Sequence, residues 1–171
     1  MRIDGSNFHR FSEKHDFTKP NDERALHLAN RAAIGVMQIF PDCTVGYGQS
    51  DEFSFVLRPD TRLHGRRKQK LVSLAVSKFT AVYQFYWGEF FPNVKLLYPP
   101  SFDGRIVLYP NERLLRDYLS WRQVDCHINN LYNTTFHALL KFKSLTPSDA
   151  EKRLSKTLSA DKVRILLAYV V

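Results

Sequence analysis

The sequence predicts an α+β fold of the ferredoxin-like type, an antiparallel sheet with helices on one face. Two observations support this prediction. Strand-like and helix-like segments follow one another in the order β-α-β-β-α-β, beginning with a short strand around Ile3. The second and third strands are separated only by the polar residues 49–52, which favours an antiparallel hairpin. Further helices are predicted after the last strand.

Each element of the first half is predicted by its local pattern. We expect a helix over residues 20–40, because a capping residue and acids precede an apolar stripe and Pro41 follows it. Alternating and aromatic-rich residues predict strands at 44–48 and 53–58. The apolar stripe of the helix consists of Ala25, Leu28, Ala29, Ala32, Ala33, Val36, Met37 and Phe40.

The second half adds one more helix and strand and then becomes helical. A helix is predicted over 66–87 and a strand at 105–109, joined by a connection rich in proline and aromatic residues. Another helix begins near Glu112, and the pattern leaves open whether it breaks at 127–133. Thr146, followed by proline, is typical of a helix N-terminus.

Composition limits the class of protein and its partners. The apolar fraction is 44% and the charged fraction 25%, which excludes a disordered chain, collagen and a disulfide scaffold. The net charge of +8 favours a polyanionic partner. The excess is concentrated in 62–70, with five basic residues and no acid, and in 141–164, with seven basic residues and three acids.

Two distant cysteines indicate a reducing compartment. There is no secretory signal at the start and no apolar run of the roughly 18 residues that a membrane span needs. We therefore expect an intracellular protein of the cytoplasm or nucleus, with no membrane partner.

Asp4 and Asp51 are predicted to meet at one edge of the same face of the sheet. The first and third strands of this fold are antiparallel neighbours, so the end of one lies beside the start of the other. Two close carboxylates repel each other unless a cation lies between them, and Mg²⁺ prefers such oxygen ligands. From pattern alone, ordinary turn aspartates remain the alternative. Strand alternation is expected to turn Glu52 away from the pair.

Several residues are candidates for binding phosphate. The loop 5–9 follows Asp4 and can point N–H groups at a triphosphate, although it matches no standard phosphate-binding motif. Lys19 precedes a predicted helix start. Arg67 and Lys70 share a helix face at an N-terminal end, where the dipole disfavours cations unless an anion binds. For the three basic residues a solvated side chain is the alternative.

The polar segment 121–133 suits nucleotide or RNA recognition, or else forms a satisfied polar seam on a helix. Its candidate residues are His127 and Asn130. The histidines of the chain lack metal-ligand spacing, and no motif for a serine or cysteine nucleophile occurs.

Five ordered motifs extend over nearly the whole chain, from about residue 2 to residue 162. They are RIDGSNFHRF at 2–11, KPND at 19–22, YGQSDEFSF at 47–55, YPPSFDGR at 98–105, and the run from DYLSWRQ to HINNLYN at 117–133. Together they closely resemble the eukaryotic tRNA-histidine guanylyltransferase family.

This resemblance implies an activity, substrates and an architecture. Members of the family activate the 5′-phosphate of histidine tRNA with ATP, and the 3′-hydroxyl of GTP then attacks, so that a guanylate is added in the 3′-to-5′ direction. The implied partners are histidine tRNA, GTP and ATP, with two Mg²⁺ as cofactors and a homo-oligomer, a tetramer, as the assembly. A catalytic domain like a polymerase palm is expected at 1–140, followed by a truncated C-terminal helical segment at 141–171.

The resemblance also implies roles for individual residues. Asp4 and Asp51 would be catalytic and ligate the two Mg²⁺, with the carbonyl of Gly5 completing one site. Lys19, Arg67 and Lys70 would grip triphosphates. His127 and Asn130 would contact the nucleotide or tRNA. The GTP site would be lined by Asp4, Gly5, Ser6, Asn7, Phe8, His9, Ser50 and Asp51.

The sequence departs from the family pattern at three places. Ser6 stands where the family usually carries arginine, a segment that normally precedes the first motif is absent, and the stretch after Lys162 differs. We therefore keep an alternative, a truncated or alternatively spliced isoform that binds tRNA or a partner but is catalytically impaired. A nucleotide cyclase shares the two-carboxylate arrangement, but the segments 98–100 and 127–133 argue against it.

Overall fold

The computed structural model describes the backbone of residues 1–170 and the side chains of residues 1–168. The chain forms two compact units, one from Met1 to Leu108 and one from Tyr109 onward. The predicted boundary at residue 140 lies inside a long helix of the second unit, and the last residue of the predicted segment 141–171 lies outside the described part.

The first unit contains a four-stranded antiparallel sheet. Its strands are β1 (Arg2–Ser6), β2 (Cys43–Gln49), β3 (Glu52–Leu57) and β4 (Ser101–Arg105). They lie in the order β2-β3-β1-β4. The predicted central pair of the first and third strands is therefore confirmed, and with it the ferredoxin-like fold.

Four α-helices and one 3₁₀ turn belong to this unit, and a single core joins the longer helices to one face of the sheet. The core combines Ile3, Phe53 and Phe102 from the strands with the predicted apolar stripe of the second helix. The helices are α1 (Phe8–Lys14), α2 (Glu23–Ile39), α3 (Lys68–Phe85) and α4 (Trp87–Phe90), and the 3₁₀ turn is Leu63–Arg66.

The last strand lies earlier than predicted. The sequence places it at 105–109, where β-branched and aromatic residues are dense, but β4 ends at Arg105 and residues 106–109 are irregular. Pairing with β1 decides the position, because it puts Gly104 opposite Ile3 and against α3. A Cβ on Gly104 would overlap Val76. Tertiary fit therefore overrides local strand propensity here.

The second unit is helical. It consists of α5 (Glu112–Lys143), α6 (Pro147–Leu154) and α7 (Ser159–Val170). α5 continues without a break through 127–133, which settles the point that the pattern left open. Thr146 caps α6 through a bond that its hydroxyl accepts from the N–H of Asp149, as predicted. No helix in the described part of the chain is both long and apolar enough to span a membrane.

Asp22 ties the loop after α1 to the start of α2. Its carboxylate accepts bonds from the N–H groups of Thr18 (2.9 Å) and Arg24 (3.0 Å) and from the Arg24 guanidinium (2.7 Å). Burial opposes ionisation, but the guanidinium and the two N–H groups outweigh it and lower the pKa of Asp22 to about 2. The ionised form of Asp22 therefore stabilises this junction.

Replacing Asp22 by asparagine should lower the free energy of unfolding at pH 7 by about 2 kcal/mol, because the folded state lowers the pKa of this carboxyl. The contribution is present above the unfolded pKa of about 3.9 and is lost as the pH falls towards 2. Urea titrations of the wild type and Asp22→Asn from pH 7 to pH 3 check this. A difference that stays constant over that range contradicts it, and Asp60→Asn, in an exposed ion pair, is the control.

Replacing Gly104 by alanine should lower the free energy of unfolding by about 1–3 kcal/mol, because the new methyl group overlaps Val76 and approaches Val72. Gly88→Ala is the matched control, since a Cβ there meets no atom within 4 Å. It lies in α4, where alanine favours the helix by up to about 1 kcal/mol. Equal unfolding midpoints in urea for the two variants would show that the α3–β4 approach is not tight.

Candidate functional site

A row of three carboxylates crosses the sheet on the face opposite the core. Ile3 is fully buried in the core, so alternation along β1 puts Asp4 on the other face. The register of β1 with β4 places Asp4 opposite Asp103. Extending the β1–β3 register by one residue from Ile3 and Phe53 places Glu52 on its other side.

Arginines lie next to this row. The Arg2 guanidinium donates to Asp4 Oδ2 (2.9 Å) and to Glu52 Oε2 (2.6 Å). Arg105 lies 3.7 Å from the Asp103 carboxylate. Glu52 is buried on the same face as Asp4, so the expectation that it turns away is corrected. Strand alternation turns the Glu52 side chain away from its neighbour Asp51, but it leaves Glu52 on the face of Asp4.

Asp51 lies against Gly5, at the end of β1. A Cβ on Gly5 would overlap Asp51 Oδ2, so only glycine lets the carboxylate lie here. Ser50, at a φ of 55°, contributes a side-chain hydrogen bond to Asp51. The turn between β2 and β3 therefore brings Asp51 to the end of β1, where it is close enough to feel the charge of Asp4. Alternation puts Gly5, and with it the Asp51 carboxylate, on the face of Ile3. The expectation that the two aspartates share one face is therefore corrected.

The site disfavours negative charge. Burial raises the pKa of Asp4 against the pull of Arg2, and Glu52 and Asp103 raise it further. Burial likewise raises the pKa of Asp51 against its bonds to its own N–H and to Ser50, and the charge of Asp4 adds to the effect. A bound cation would stabilise the ionised forms of Asp4 and Asp51.

The donor set suits a hard cation. Among the described residues, no group of three or more His, Cys, Asp or Glu side chains has the geometry of a complete metal site. The available donors are the carboxylates of Asp4 and Asp51 and the carbonyl of Gly5. Mg²⁺ is typically bound by one or two carboxylates together with waters and substrate phosphates, so these residues fit it.

The other predicted residues of the GTP site surround the start of α1. Ser6 ends β1, and Asn7 adopts a left-handed conformation before the helix. The Phe8 ring packs on Phe11, with ring centroids 4.9 Å apart, and is part of the core boundary. His9 is exposed and lies 3.0 Å from the Glu13 carboxylate.

The structure separates the predicted triphosphate residues. Lys19 lies beside α1, where its Nζ donates to Ser12 Oγ (3.1 Å). Arg67 and Lys70 lie at the start of α3, whereas Tyr83, near the other end, packs on Phe8 with centroids 6.0 Å apart. From Lys70 to Tyr83 the helix rises roughly 20 Å. Within one chain, therefore, Arg67 and Lys70 are remote from Asp4 and Asp51.

His127 and Asn130 lie in the second unit, exposed and three residues apart on α5. Sequence reasoning missed the charged residues that flank Asp4 on its face of the sheet. Part of this arrangement could have been predicted from the sequence, since alternation about the apolar Ile3 places Arg2 and Asp4 on one face of the first strand. Asp103 and Arg105 could only be added once the last strand was placed at Ser101–Arg105.

Comparison with known proteins covers both units. A family model described as tRNAHis guanylyltransferase matches residues 1–110, and a model described as Thg1 C terminal domain matches residues 113–170. The chain belongs to the tRNA(His) guanylyltransferase family. The resemblance found in the sequence motifs is thereby confirmed.

Curated relatives extend beyond the matched region. The probable tRNA(His) guanylyltransferase of Mus musculus is 54% identical over 168 residues, covering 98% of this chain and 56% of the relative. The enzyme of Schizosaccharomyces pombe is 55% identical, with 98% and 64% covered. This chain therefore spans little more than half the length of its mouse relative.

Solved structures of the family share the fold. The tRNA(His) guanylyltransferase of Saccharomyces cerevisiae matches with a TM-score of 0.94 and 47% identity, over 98% of this chain and 75% of the other. A bacterial Thg1-like protein in complex with ATP matches with a TM-score of 0.71 and 26% identity, over 91% and 68%. Another such protein, in complex with GTP, has the same TM-score at 25% identity, over 82% and 67%.

Asp51→Asn should raise the stability of the metal-free protein at pH 7 and abolish stabilisation by Mg²⁺. Because the fold raises the pKa of Asp51, ionisation costs folding free energy as the pH rises above the unfolded value of about 3.9. The advantage of the variant should therefore vanish below that pH. Thermal unfolding with EDTA and with Mg²⁺ tests both statements, and an equal Mg²⁺ shift in both proteins would contradict the assignment.

Proposed function

We propose that this chain adds a guanylate from GTP to the 5′ end of histidine tRNA, after ATP activates the 5′-phosphate. The observation that supports the proposal is the position of Asp51 against Gly5, the residue that follows Asp4, in a chain that belongs to the tRNA(His) guanylyltransferase family. The ATP and GTP complexes of bacterial Thg1-like proteins support the use of both nucleotides.

Asp4, Asp51 and the Gly5 carbonyl are the groups that would hold two Mg²⁺. When bound, such ions supply positive charge to the attacking and leaving oxygens of a phosphoryl transfer. The chain contributes two half-buried carboxylates, and Arg2 offsets the charge of Asp4 only in part. This leaves a net attraction for cations at the edge of the sheet.

The GTP site would be formed by backbone and small side chains. Ser6, Asn7 and His9 follow Asp4 in the chain and Ser50 precedes Asp51, so these residues would line it. Phe8 would act differently, because its ring packs on aromatic residues and so supports the backbone of the loop.

Lys19 is the triphosphate residue nearest to this loop within the chain, held beside α1 by Ser12. Arg67 and Lys70 would reach a triphosphate only in another copy's site. A homo-oligomer, a tetramer by family resemblance, would allow this. His127 and Asn130 would contact the nucleotide or tRNA.

The second candidate function is a tRNA- or partner-binding isoform without transfer activity. It is favoured by the two basic segments of the chain, 62–70 and 141–164. The basic cluster 62–70 would still attract RNA, and binding would weaken steeply with salt because counterions are released from each contacted phosphate.

Incubation with 5′-phosphorylated histidine tRNA, ATP and labelled GTP should place the label at the tRNA 5′ end. Asp51→Asn should reduce incorporation by about 100-fold or more, because it removes a metal ligand and its charge. Asp60→Asn, in an exposed ion pair, should leave it unchanged. Salt-sensitive tRNA binding without incorporation by the wild type would instead establish the binding isoform.

A further inference from the structure

A pocket of about 450 Å³ lies between α1 and the segment that leads into β4. It is lined by Asn7, Arg10, Lys14, Leu97 and Tyr98. Its volume is in the range of small-ligand sites. None of these residues belongs to the metal site, and only Asn7 is among the predicted GTP contacts.

Two cations without partners form one wall of the pocket. Arg10 and Lys14 are exposed and four residues apart, on one face of α1. In the described part of the chain, neither makes a hydrogen bond or an ion pair. The acid of this helix, Glu13, is engaged by His9. Like charges at this spacing destabilise a helix, and a bound anion would remove the conflict.

An aromatic ring forms another wall. Tyr98 is 40% exposed, although its ring packs edge-on against Phe11, with centroids 5.5 Å apart. The buried His15 fixes the segment in place. Its Nε2 accepts a bond from the N–H of Leu97 (3.0 Å), and its Nδ1 donates to the carbonyl of Phe11 (2.8 Å). The ring is therefore held against α1 before any ligand binds.

The pocket lies next to the proposed reaction site. Asn7 is three residues from Asp4, so the Cα atoms of the two residues lie at most about 11 Å apart. Tyr98 precedes β4, whose first residue, Ser101, pairs with Ser6. Since β1 lies between β3 and β4, the pocket is on the side of Asp4 away from Asp51.

We propose that this pocket binds a nucleotide of the RNA strand close to its reacting end, with Arg10 and Lys14 on backbone phosphates and Tyr98 stacked on a base. The proposal rests on the proposed function. Basic side chains beside an exposed aromatic ring are the pattern that binds single-stranded nucleic acid. The lining offers no carboxylate for the Mg²⁺ that usually accompanies a nucleoside triphosphate, which favours the RNA strand over free nucleotide.

The test compares tRNA and GTP binding in matched variants. Arg10→Gln/Lys14→Gln should weaken the binding of 5′-phosphorylated histidine tRNA about tenfold and reduce the salt slope by about 1.4, which is two single-stranded phosphates. Tyr98→Leu should weaken it about fivefold or more without changing the slope. Affinity for GTP with Mg²⁺, measured by calorimetry, should stay at the wild-type value in all variants.

The control is Arg58→Gln/Lys78→Gln, which removes the same charge outside the pocket and outside the cluster 62–70. An equal loss of tRNA affinity in this control would overturn the proposal, as a general charge effect. Weaker GTP binding with unchanged tRNA binding in the pocket variants would also overturn it, and would assign the pocket to free nucleotide. Because the readout is binding, a wild type that binds tRNA through this pocket but transfers no guanylate refutes the proposed function alone.

Discussion

The pairing of β1 on both edges is the constraint on which the site depends. β3 and β4 both hydrogen-bond to this short strand, so its register fixes which side chains face the core. A slip of one residue would exchange the buried Ile3 with the charged Asp4, and the core would then contain a carboxylate. The packing of Ile3 therefore specifies the position of Asp4, and Gly5 then leaves room for Asp51.

Three aspartates of this unit, Asp4, Asp22 and Asp51, differ in how the fold compensates their charge. Asp22 is buried, but two backbone N–H groups and a guanidinium compensate its charge, and its pKa is lowered. Asp4 and Asp51 are compensated less completely, and their pKa values are raised. Ionised carboxylates thus destabilise the folded protein at the end of β1 and stabilise it at the start of α2. Such an imbalance is typical of sites that acquire a charge from a ligand.

Hydrophobic pattern and turn chemistry were enough to predict the strand order, the stripe of α2 and the approach of Asp51 to the end of β1. These local patterns gave wrong predictions where long-range contacts determine the structure. β4 takes the weaker strand sequence because Gly104 fits α3, and the stronger run ending at Tyr109 stays irregular. Arg67 lies just before α3 with an extended backbone, so it does not share a helix face with Lys70 as expected. The spacing also does not indicate which end of α3 faces the aspartates.

The short helix α1 was not predicted from the sequence, because long-range packing also decides its formation. It connects the loop beside Asp4 with the pocket lined by Arg10 and Lys14. Seven residues are too few for a stable helix in isolation, so packing must hold it. Phe8 and Phe11 supply that packing on one face, and His15 extends it to the segment before β4. Arg10 and Lys14 are then left on the outer face. One aromatic cluster thus orders both the loop beside Asp4 and the basic pocket, so substitutions in its core should disturb the two together.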